Sequence, residues 1–127
     1  MTTKLLSATL SCICLLTCAS ALGWTKEGET LVFHGGEVDH CSALAVEAAA
    51  IMYGRQNNEP PHYERDAYHP PTASTLSLRD SLSKLVLAYP VRDTEAEKNK
   101  DLQDFINMAR GTCVKAYIES VPPSSPN

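Results

Sequence analysis

The order of apolar and polar residues along this chain predicts one short strand followed by three helices. The strand is expected at residues 30–33, a β-prone apolar run that stops at Gly35 and Gly36. Three later segments repeat apolar residues every three or four positions, which is the period of an amphipathic helix. The pattern therefore indicates a mainly α fold with three helices and a short N-terminal strand.

The first helix is predicted over residues 41–55, where alanine dominates and Glu47 is the one acidic residue. Asp39 is its expected N-cap, and Gly54 together with residues 57–58 is expected to end it. Five residues at helical spacing should form its buried face: Cys41, Leu44, Ala48, Ile51 and Met52. The many alanines would let a neighbouring element approach this helix closely.

The second helix is predicted to begin at Ser77, which has capping-box spacing to Asp80. Its apolar residues recur at helical intervals: Leu78, Leu82, Leu85, Val86 and Tyr89. The end of this segment has two interpretations, because the run 85–89 before Pro90 fits a buried strand as well as a helix.

The third helix is predicted from the capping box of Thr94 and Glu97 to the prolines at residues 122–123. Its buried stripe should contain the following residues: Leu102, Phe105, Ile106, Ala109, Cys113, Ala116 and Tyr117. Gly111 weakens the middle of the helix by about 1 kcal/mol relative to alanine. A break at Gly111, with residues 113–118 as a separate helix or strand, is the alternative.

The first 21 residues have the pattern of a secretory signal peptide. Lys4 supplies the positive charge, residues 5–17 form the apolar region, and residues 19–21 are a small-residue cleavage site. Cleavage after Ala21 leaves residues 22–127, whose 106 residues are a common size for one domain. We therefore expect a secreted, extracellular single-domain protein with a frayed tail from about residue 122.

Removing this segment also changes the cysteine count from five to two, namely Cys41 and Cys113. In an oxidising compartment such a pair is expected to form an intramolecular disulfide. The loop that it closes has about 73 residues, and the chain-entropy model predicts a stabilisation of roughly 4 kcal/mol. The alternative is a disulfide-linked dimer, whereas the intramolecular pairing predicts a monomer.

The charge of the chain excludes some classes of partner. The mature chain has 10 Lys and Arg against 15 Asp and Glu, which is a net charge of −5 with His neutral. Binding to nucleic acid or to an anionic membrane depends on clustered basic residues, which this chain does not have. No apolar run after the signal is long enough to cross a membrane. We therefore expect neither a nucleic-acid nor a membrane partner.

The segment between the first two helices is the strongest candidate for a binding site. Residues 59–72 form a long irregular connection with a proline pair near each end, which indicates an ordered loop. It contains aromatic and basic residues of the kind enriched in protein-binding hot spots. We predict that five of them contact a partner protein: His62, Tyr63, Arg65, Tyr68 and His69. The alternative is a plain surface loop whose two tyrosines pack on the core.

A metal site, an anion site and a catalytic site have weaker support in the sequence. His62 and His69 with the acids between them resemble metal ligands in type, yet their spacing matches no standard zinc motif, and no metal site is expected. Gly35 and Gly36 before a helix could bind an anion, but a turn is the simpler interpretation. The chain lacks the G-x-S-x-G and H-E-x-x-H motifs. We expect no catalytic residues and no cofactor.

Two short motifs resemble the secreted ribonuclease-like proteins of fungi. Residues 61–63, Pro-His-Tyr, and residues 89–91, Tyr-Pro-Val, follow each other in the order typical of that family. The resemblance covers about a third of the mature chain and implies an α+β fold as the alternative architecture. Ala88 stands where the family has its catalytic Glu, so the resemblance implies an inactive or weakly active scaffold.

These observations favour a non-catalytic secreted protein that binds a partner protein outside the producing cell, as an effector, toxin-like or signalling protein does. A second hypothesis is a carrier that holds a small apolar ligand between its helices. The ribonuclease-like scaffold is a third hypothesis.

Overall fold

The computed structural model describes residues 23–124, which begin with a β-hairpin. Strand β1 (Trp24–Glu27) pairs antiparallel with strand β2 (Thr30–Phe33). In the two-residue turn between them, Gly28 has a φ of 63°. Type II′ turns require a positive φ at this first turn position, and glycine adopts it without strain. The predicted strand at residues 30–33 is confirmed, and β1 is its unpredicted partner.

Three helices follow the hairpin: α1 (Asp39–Asn57), α2 (Ala73–Leu85) and α3 (Glu95–Ser120). A 3₁₀ turn at Glu64–Ala67 lies between α1 and α2. The prediction of a mainly α, three-helix architecture is therefore confirmed. The hairpin is the one sheet within residues 23–124.

In the segment with two interpretations, residues 85–89, the first four residues are helical. The end of α2 passes directly into a second 3₁₀ turn at Val86–Ala88, and the chain becomes extended at Tyr89. The buried strand that the α+β alternative requires here is therefore not formed. Tyr89 packs edge-on against Phe105 of α3, with 5.4 Å between the ring centroids.

The ends of α1 only partly match the prediction. Asp39 is the first residue of the helix and not its N-cap, because Val38 occupies the cap position and makes no side-chain capping bond. Gly54 does not end the helix either. The helix ends where residues 57–58 predicted, at Asn58, whose φ of 55° gives the left-handed conformation common after a helix.

Capping-box spacing predicted the start of α3 correctly and the start of α2 wrongly. Thr94 caps α3 as predicted, since its hydroxyl accepts a hydrogen bond from the Glu97 backbone N–H at 3.3 Å. The predicted start of α2 at Ser77 is wrong. Thr72 is the N-cap and accepts a hydrogen bond from the Thr75 backbone N–H at 3.2 Å. Thr72 has the same capping chemistry as Ser77 and comes earlier in the chain.

The core lies mainly between α1 and α3, with α2 packed across one side. Its buried apolar residues come from all three helices and the second 3₁₀ turn: Ala48, Ile51, Met52, Leu82, Val86, Phe105 and Ala109. Phe105 is the largest fully buried side chain. The helical periodicity placed all seven on the inner faces of the helices, but Leu85 and Ala116, which it also placed there, are exposed.

A disulfide joins the beginning of α1 to the second half of α3. Cys41 and Cys113 are bonded, with 5.5 Å between their Cα atoms, and Cys41 is completely buried. Helix α3 continues unbroken through Gly111 to Ser120 as predicted, so the alternative with a break at Gly111 is not formed. The predicted intramolecular pairing is therefore present in the structure.

None of the helices within residues 23–124 combines the length and the apolar composition that a membrane span requires. The predicted signal peptide, residues 1–21, lies outside the described residues.

Replacing Gly54 with alanine is expected to destabilise the protein by roughly 1–3 kcal/mol, the usual cost of overpacking. A Cβ at position 54 would lie 2.6 Å from the carbonyl oxygen of Glu59 and 3.1 Å from the nitrogen of Pro61, both backbone atoms. Urea unfolding of Gly54→Ala measures this cost.

Gly111→Ala is the matched control, because a Cβ at Gly111 meets nothing within 4 Å. Alanine favours the helix over glycine by about 1 kcal/mol, so this variant should be more stable than the natural protein. Equal stability changes of the same sign in the two variants would contradict the close backbone approach at Gly54.

Candidate functional site

The candidate site is the segment between the two proline pairs, residues 60–71, which we call the 60–71 loop. It starts beside α1, where Glu59 and Pro61 pass against the surface of Gly54. It turns through the 3₁₀ turn Glu64–Ala67 and ends at Thr72, the N-cap of α2. Helices α1 and α2 therefore fix the positions of the two ends of the loop, and side-chain contacts fix the position of its middle.

Arg79 of α2 binds the middle of the loop to α1. Its Nε donates a hydrogen bond to Glu47 at 2.6 Å, and its two Nη atoms each donate to a carboxylate oxygen of Asp66 at 2.7 Å. Arg79 is only 8% exposed. A planar guanidinium can bind two carboxylates in this way, whereas a lysine ammonium cannot reproduce the geometry.

Charge pairing in this cluster shifts the pKa of its members. The hydrogen bonds from Arg79 lower the pKa of the Asp66 carboxyl group. The same bonds, to Asp66 first and to Glu47 second, raise the pKa of Arg79. Each shift favours the ionised form, so Asp66 and Arg79 stay charged and paired at neutral pH.

Tyr63 completes the cluster. The Arg79 guanidinium carbon lies 3.5 Å from the centre of the Tyr63 ring, which is a cation–π contact. The ring is half-buried and also packs against the core, and this burial is the main reason that the pKa of its phenol is raised. Tyr63, Glu47, Asp66 and Arg79 are called the Arg79 cluster below.

The outer surface of the 60–71 loop carries four of the five predicted contact residues: His62, Arg65, Tyr68 and His69 are exposed. Tyr68 is 83% exposed, the most exposed large hydrophobic residue described. Tyr63, the fifth, is half-buried: its ring stacks on Arg79 and also lines the groove beside α1. Of the two tyrosines, one therefore packs inward and one faces solvent.

A groove of about 430 Å³ runs between the loop and α1. Its apolar side comes mainly from α1 and includes Val46 and Tyr53, which are 55% and 59% exposed. Its other side is formed by the loop, including His62 and Arg65. This position places a cation beside exposed apolar surface.

A second groove, of about 460 Å³, lies on the α2 side of the same loop. Arg65 lines this groove too, together with His69 and the prolines at residues 70–71. The loop is therefore a ridge between two grooves, and Arg65 faces both of them.

The structure does not bring the two histidines of the loop together as metal ligands. Within residues 23–124, the one group of three suitable ligand atoms is at His40, Cys41 and Cys113. Both sulfurs of that group belong to the disulfide, so neither is a thiolate that could bind a metal.

Gly35 and Gly36 form a turn before α1, with φ values of 70° and 78°. The carbonyl of Gly36 accepts the backbone N–H of Asp39, and the Asp39 carboxylate lies directly beside Gly36. A carboxylate of the chain itself therefore stands where an anion would have to bind.

Arg79 and Glu47 were not predicted as part of the site. A signal existed for Glu47, because a carboxylate inside an alanine-rich helix needs a basic or polar partner when it is buried. The identity of that partner depends on how α2 crosses α1, which no local pattern contains.

A third groove, of about 550 Å³, lies between α2 and the second half of α3. Its walls are mostly apolar and include Leu78, Leu85 and Met108, and Cys113 of the disulfide borders it. It bears on the hypothesis of a carrier for small apolar ligands.

Comparison with known proteins adds no relative: no protein-family model, curated protein or solved structure matches this chain.

Replacing Asp66 with asparagine is expected to destabilise the protein more at pH 6 than at pH 3. Because the folded-state pKa of Asp66 is lowered, its contribution to stability is present above the unfolded pKa of about 3.9 and is lost as the pH falls through the folded value. Urea unfolding of Asp66→Asn and the natural protein at both pH values measures this difference.

Asp80→Asn is the control for this measurement, since Asp80 pairs with Lys84 on the solvent-exposed face of α2. Exposed pairs contribute little to stability. An Asp66→Asn effect of equal size at pH 3 and pH 6 would contradict the charge pairing with Arg79.

Proposed function

We propose that this protein is secreted as a monomer and binds a partner protein outside the producing cell, through the outer surface of the 60–71 loop. One observation carries the proposal: exposed aromatic and basic side chains stand on a loop that is held rigid from beneath. The disulfide is compatible with the oxidising conditions outside the cell.

The Arg79 cluster supports this proposal because it reduces the entropy cost of binding. A flexible loop must be ordered when it binds, and each immobilised side chain costs about 0.5–1.5 kcal/mol. Here the charge pairs from Arg79 and the stacked Tyr63 ring order the loop in the free protein. More of the contact energy then remains for affinity.

The chemistry of the exposed residues also suits a protein partner. Tyr and Arg are enriched among the few residues that supply most of the energy of a protein interface. Tyr68 projects beyond the loop, and Arg65 lies between two grooves that can receive side chains of a partner. His62 and His69 flank these two residues at the exposed ends of the ridge.

Affinity capture with the mature protein tests the proposal. A partner captured by the natural protein should bind Tyr68→Ala and Arg65→Ala with at least about 30-fold weaker affinity, which corresponds to the 2 kcal/mol of a hot spot. Both residues are exposed, so the variants should keep the stability of the natural protein, as urea unfolding checks.

Leu87→Ala is the control variant, since Leu87 is 64% exposed and lines neither loop groove. It should bind the partner as the natural protein does. Unchanged affinity in both loop variants, or equal losses in all three, would refute the loop as the binding surface.

A second candidate function is carriage of a small apolar ligand in the groove between α2 and α3. The observation that favours it is the volume of about 550 Å³, which lies within the range of about 300–1,000 Å³ for small-molecule sites. Mass spectrometry of an organic extract of the secreted protein would detect a carried lipid. Loss of that lipid in Leu85→Arg, with retention in Tyr68→Ala, would favour carriage over the loop surface.

A further inference from the structure

The two sulfurs of the disulfide have unequal surroundings. Cys41 is completely buried, whereas Cys113 is half-buried and borders the groove of about 550 Å³ between α2 and α3. A thiolate opens a disulfide by attacking one of its sulfurs, and access decides which sulfur is attacked. The burial of the two residues therefore favours attack at Cys113, with Cys41 as the sulfur that leaves.

The imidazole of His40 lies beside the buried sulfur. Its Nε2 is 3.5 Å from the Sγ of Cys41. His40 is exposed, so its ring exchanges protons with water. When the ring is protonated, both of its nitrogens carry a proton that can be donated. The sulfur that would leave as a thiolate therefore faces a proton donor.

The His40 ring is packed against a residue from another helix. The edge of the Tyr117 ring of α3 contacts it, with 6.4 Å between the ring centroids. Tyr117 in turn packs against Phe33 of β2, at 6.2 Å between centroids. These contacts restrict the positions that the imidazole can adopt and keep it near the Sγ of Cys41.

We propose that Cys113 is a modification site at which a small thiol compound opens the disulfide, and that His40 protonates the Cys41 thiolate that leaves. The sulfur of the small thiolate forms a bond to the Sγ of Cys113. The bond between Cys113 and Cys41 breaks, and its electron pair stays on the Sγ of Cys41. The products are a mixed disulfide on Cys113 and a free thiol on Cys41, and water returns the proton to His40. The proposal is independent of the proposed partner protein.

The burial of Cys41 explains why a proton donor matters here. A thiolate left in a buried position without a partner is costly. A protonated imidazole beside it stabilises the thiolate, and a better-stabilised leaving thiolate accelerates the exchange. After proton transfer, Cys41 is a neutral thiol, which is well tolerated in a protein core.

Modification at Cys113 removes the covalent link between the beginning of α1 and the second half of α3. Small thiols are abundant in reducing compartments and scarce outside the cell. The link should therefore persist in an oxidising medium and open where thiol compounds are plentiful.

Peptide mapping of the natural protein tests which sulfur is attacked, with glutathione as the small thiol. The folded protein is incubated with glutathione, quenched with acid at early times and analysed by mass spectrometry. The glutathione adduct should be at least about tenfold more abundant on Cys113 than on Cys41, because access directs the attack. Exchange in the unfolded chain reaches both sulfurs, so similar adduct levels on the two cysteines, or an adduct mainly on Cys41, would overturn the proposal.

His40→Ala tests the proton donor. The initial rate of adduct formation should fall at least about tenfold, the lower limit of what general-acid assistance usually contributes being about a hundredfold and water replacing part of it. Loss of folding would expose the disulfide and speed the exchange, so an unfolded variant cannot imitate this result. A rate equal to or faster than that of the natural protein would overturn the role of His40.

His34→Ala is the matched control, since His34 is also exposed and its Nε2 bonds the Thr25 hydroxyl at 3.0 Å. Urea unfolding checks that both variants keep the stability of the natural protein. His34→Ala should form the adduct at the natural rate. An equal loss of rate in the two variants would show that the effect is not specific to His40, and would overturn proton donation by this residue.

Discussion

Replacing Arg79 with methionine is expected to destabilise the protein by about 3 kcal/mol and to release the 60–71 loop. Removing one partner of a buried ion pair typically costs about 3–5 kcal/mol. The lower end applies here because the side chain of Asp66 is 32% exposed, whereas that of Glu47 is 14% exposed. Without the guanidinium, two carboxylates face each other with no cation between them.

Two measurements detect the separate effects of Arg79→Met. Urea unfolding gives the loss of stability, and limited digestion with trypsin reports release of the loop through cleavage after Arg65. Lys84→Met is the control, because the Lys84 pair with Asp80 is exposed and contributes at most about 1 kcal/mol. A loop that resists trypsin equally in Arg79→Met and the natural protein would show that the Arg79 cluster does not order it.

Removal of the disulfide by the double variant Cys41→Ala and Cys113→Ala should cost about 4 kcal/mol. The two cysteines are 72 residues apart in sequence, and the chain-entropy model assigns about 4 kcal/mol to a loop of this length. The loop contains α1, the 60–71 loop and α2, so its closure restricts most of the unfolded chain. Urea unfolding of the oxidised protein and of the double variant measures the difference.

The natural protein in a reducing agent is the control for this comparison, because it lacks the same bond without any substitution. Its free energy of unfolding should match that of the double variant, apart from the small cost of the two cysteine-to-alanine substitutions themselves. Mass measurement without reductant should show a monomer lighter by two hydrogens than its reduced form. A disulfide-linked dimer would contradict the intramolecular pairing.

The elements that the sequence predicted well depend on neighbours in the chain. The apolar period of α3 and the cap at Thr94 are both properties of short segments, and both are confirmed. The Cys41–Cys113 pair followed from counting, since two cysteines allow one intramolecular pairing.

The errors occur where two segments compete or where distant segments meet. Ser77 and Thr72 have similar capping chemistry, and the structure uses Thr72 as the N-cap of α2. Gly54 is a residue type common at helix ends, yet it lies inside α1, where the close approach of the Glu59 backbone leaves no room for a Cβ. The stacking of the Tyr63 ring on the Arg79 guanidinium was not predicted, because the two residues lie on separate segments.

The sequence alone determined the helical class, the single disulfide and the segment that carries the candidate site. Only the tertiary structure decided which residues of that segment face solvent and which support it. The reason is physical: helical period and turn chemistry act over a few residues, whereas Glu47, Asp66 and Arg79 lie on three separate segments. Their pairing is a consequence of how α2 crosses α1, and only the packed fold brings these charges together.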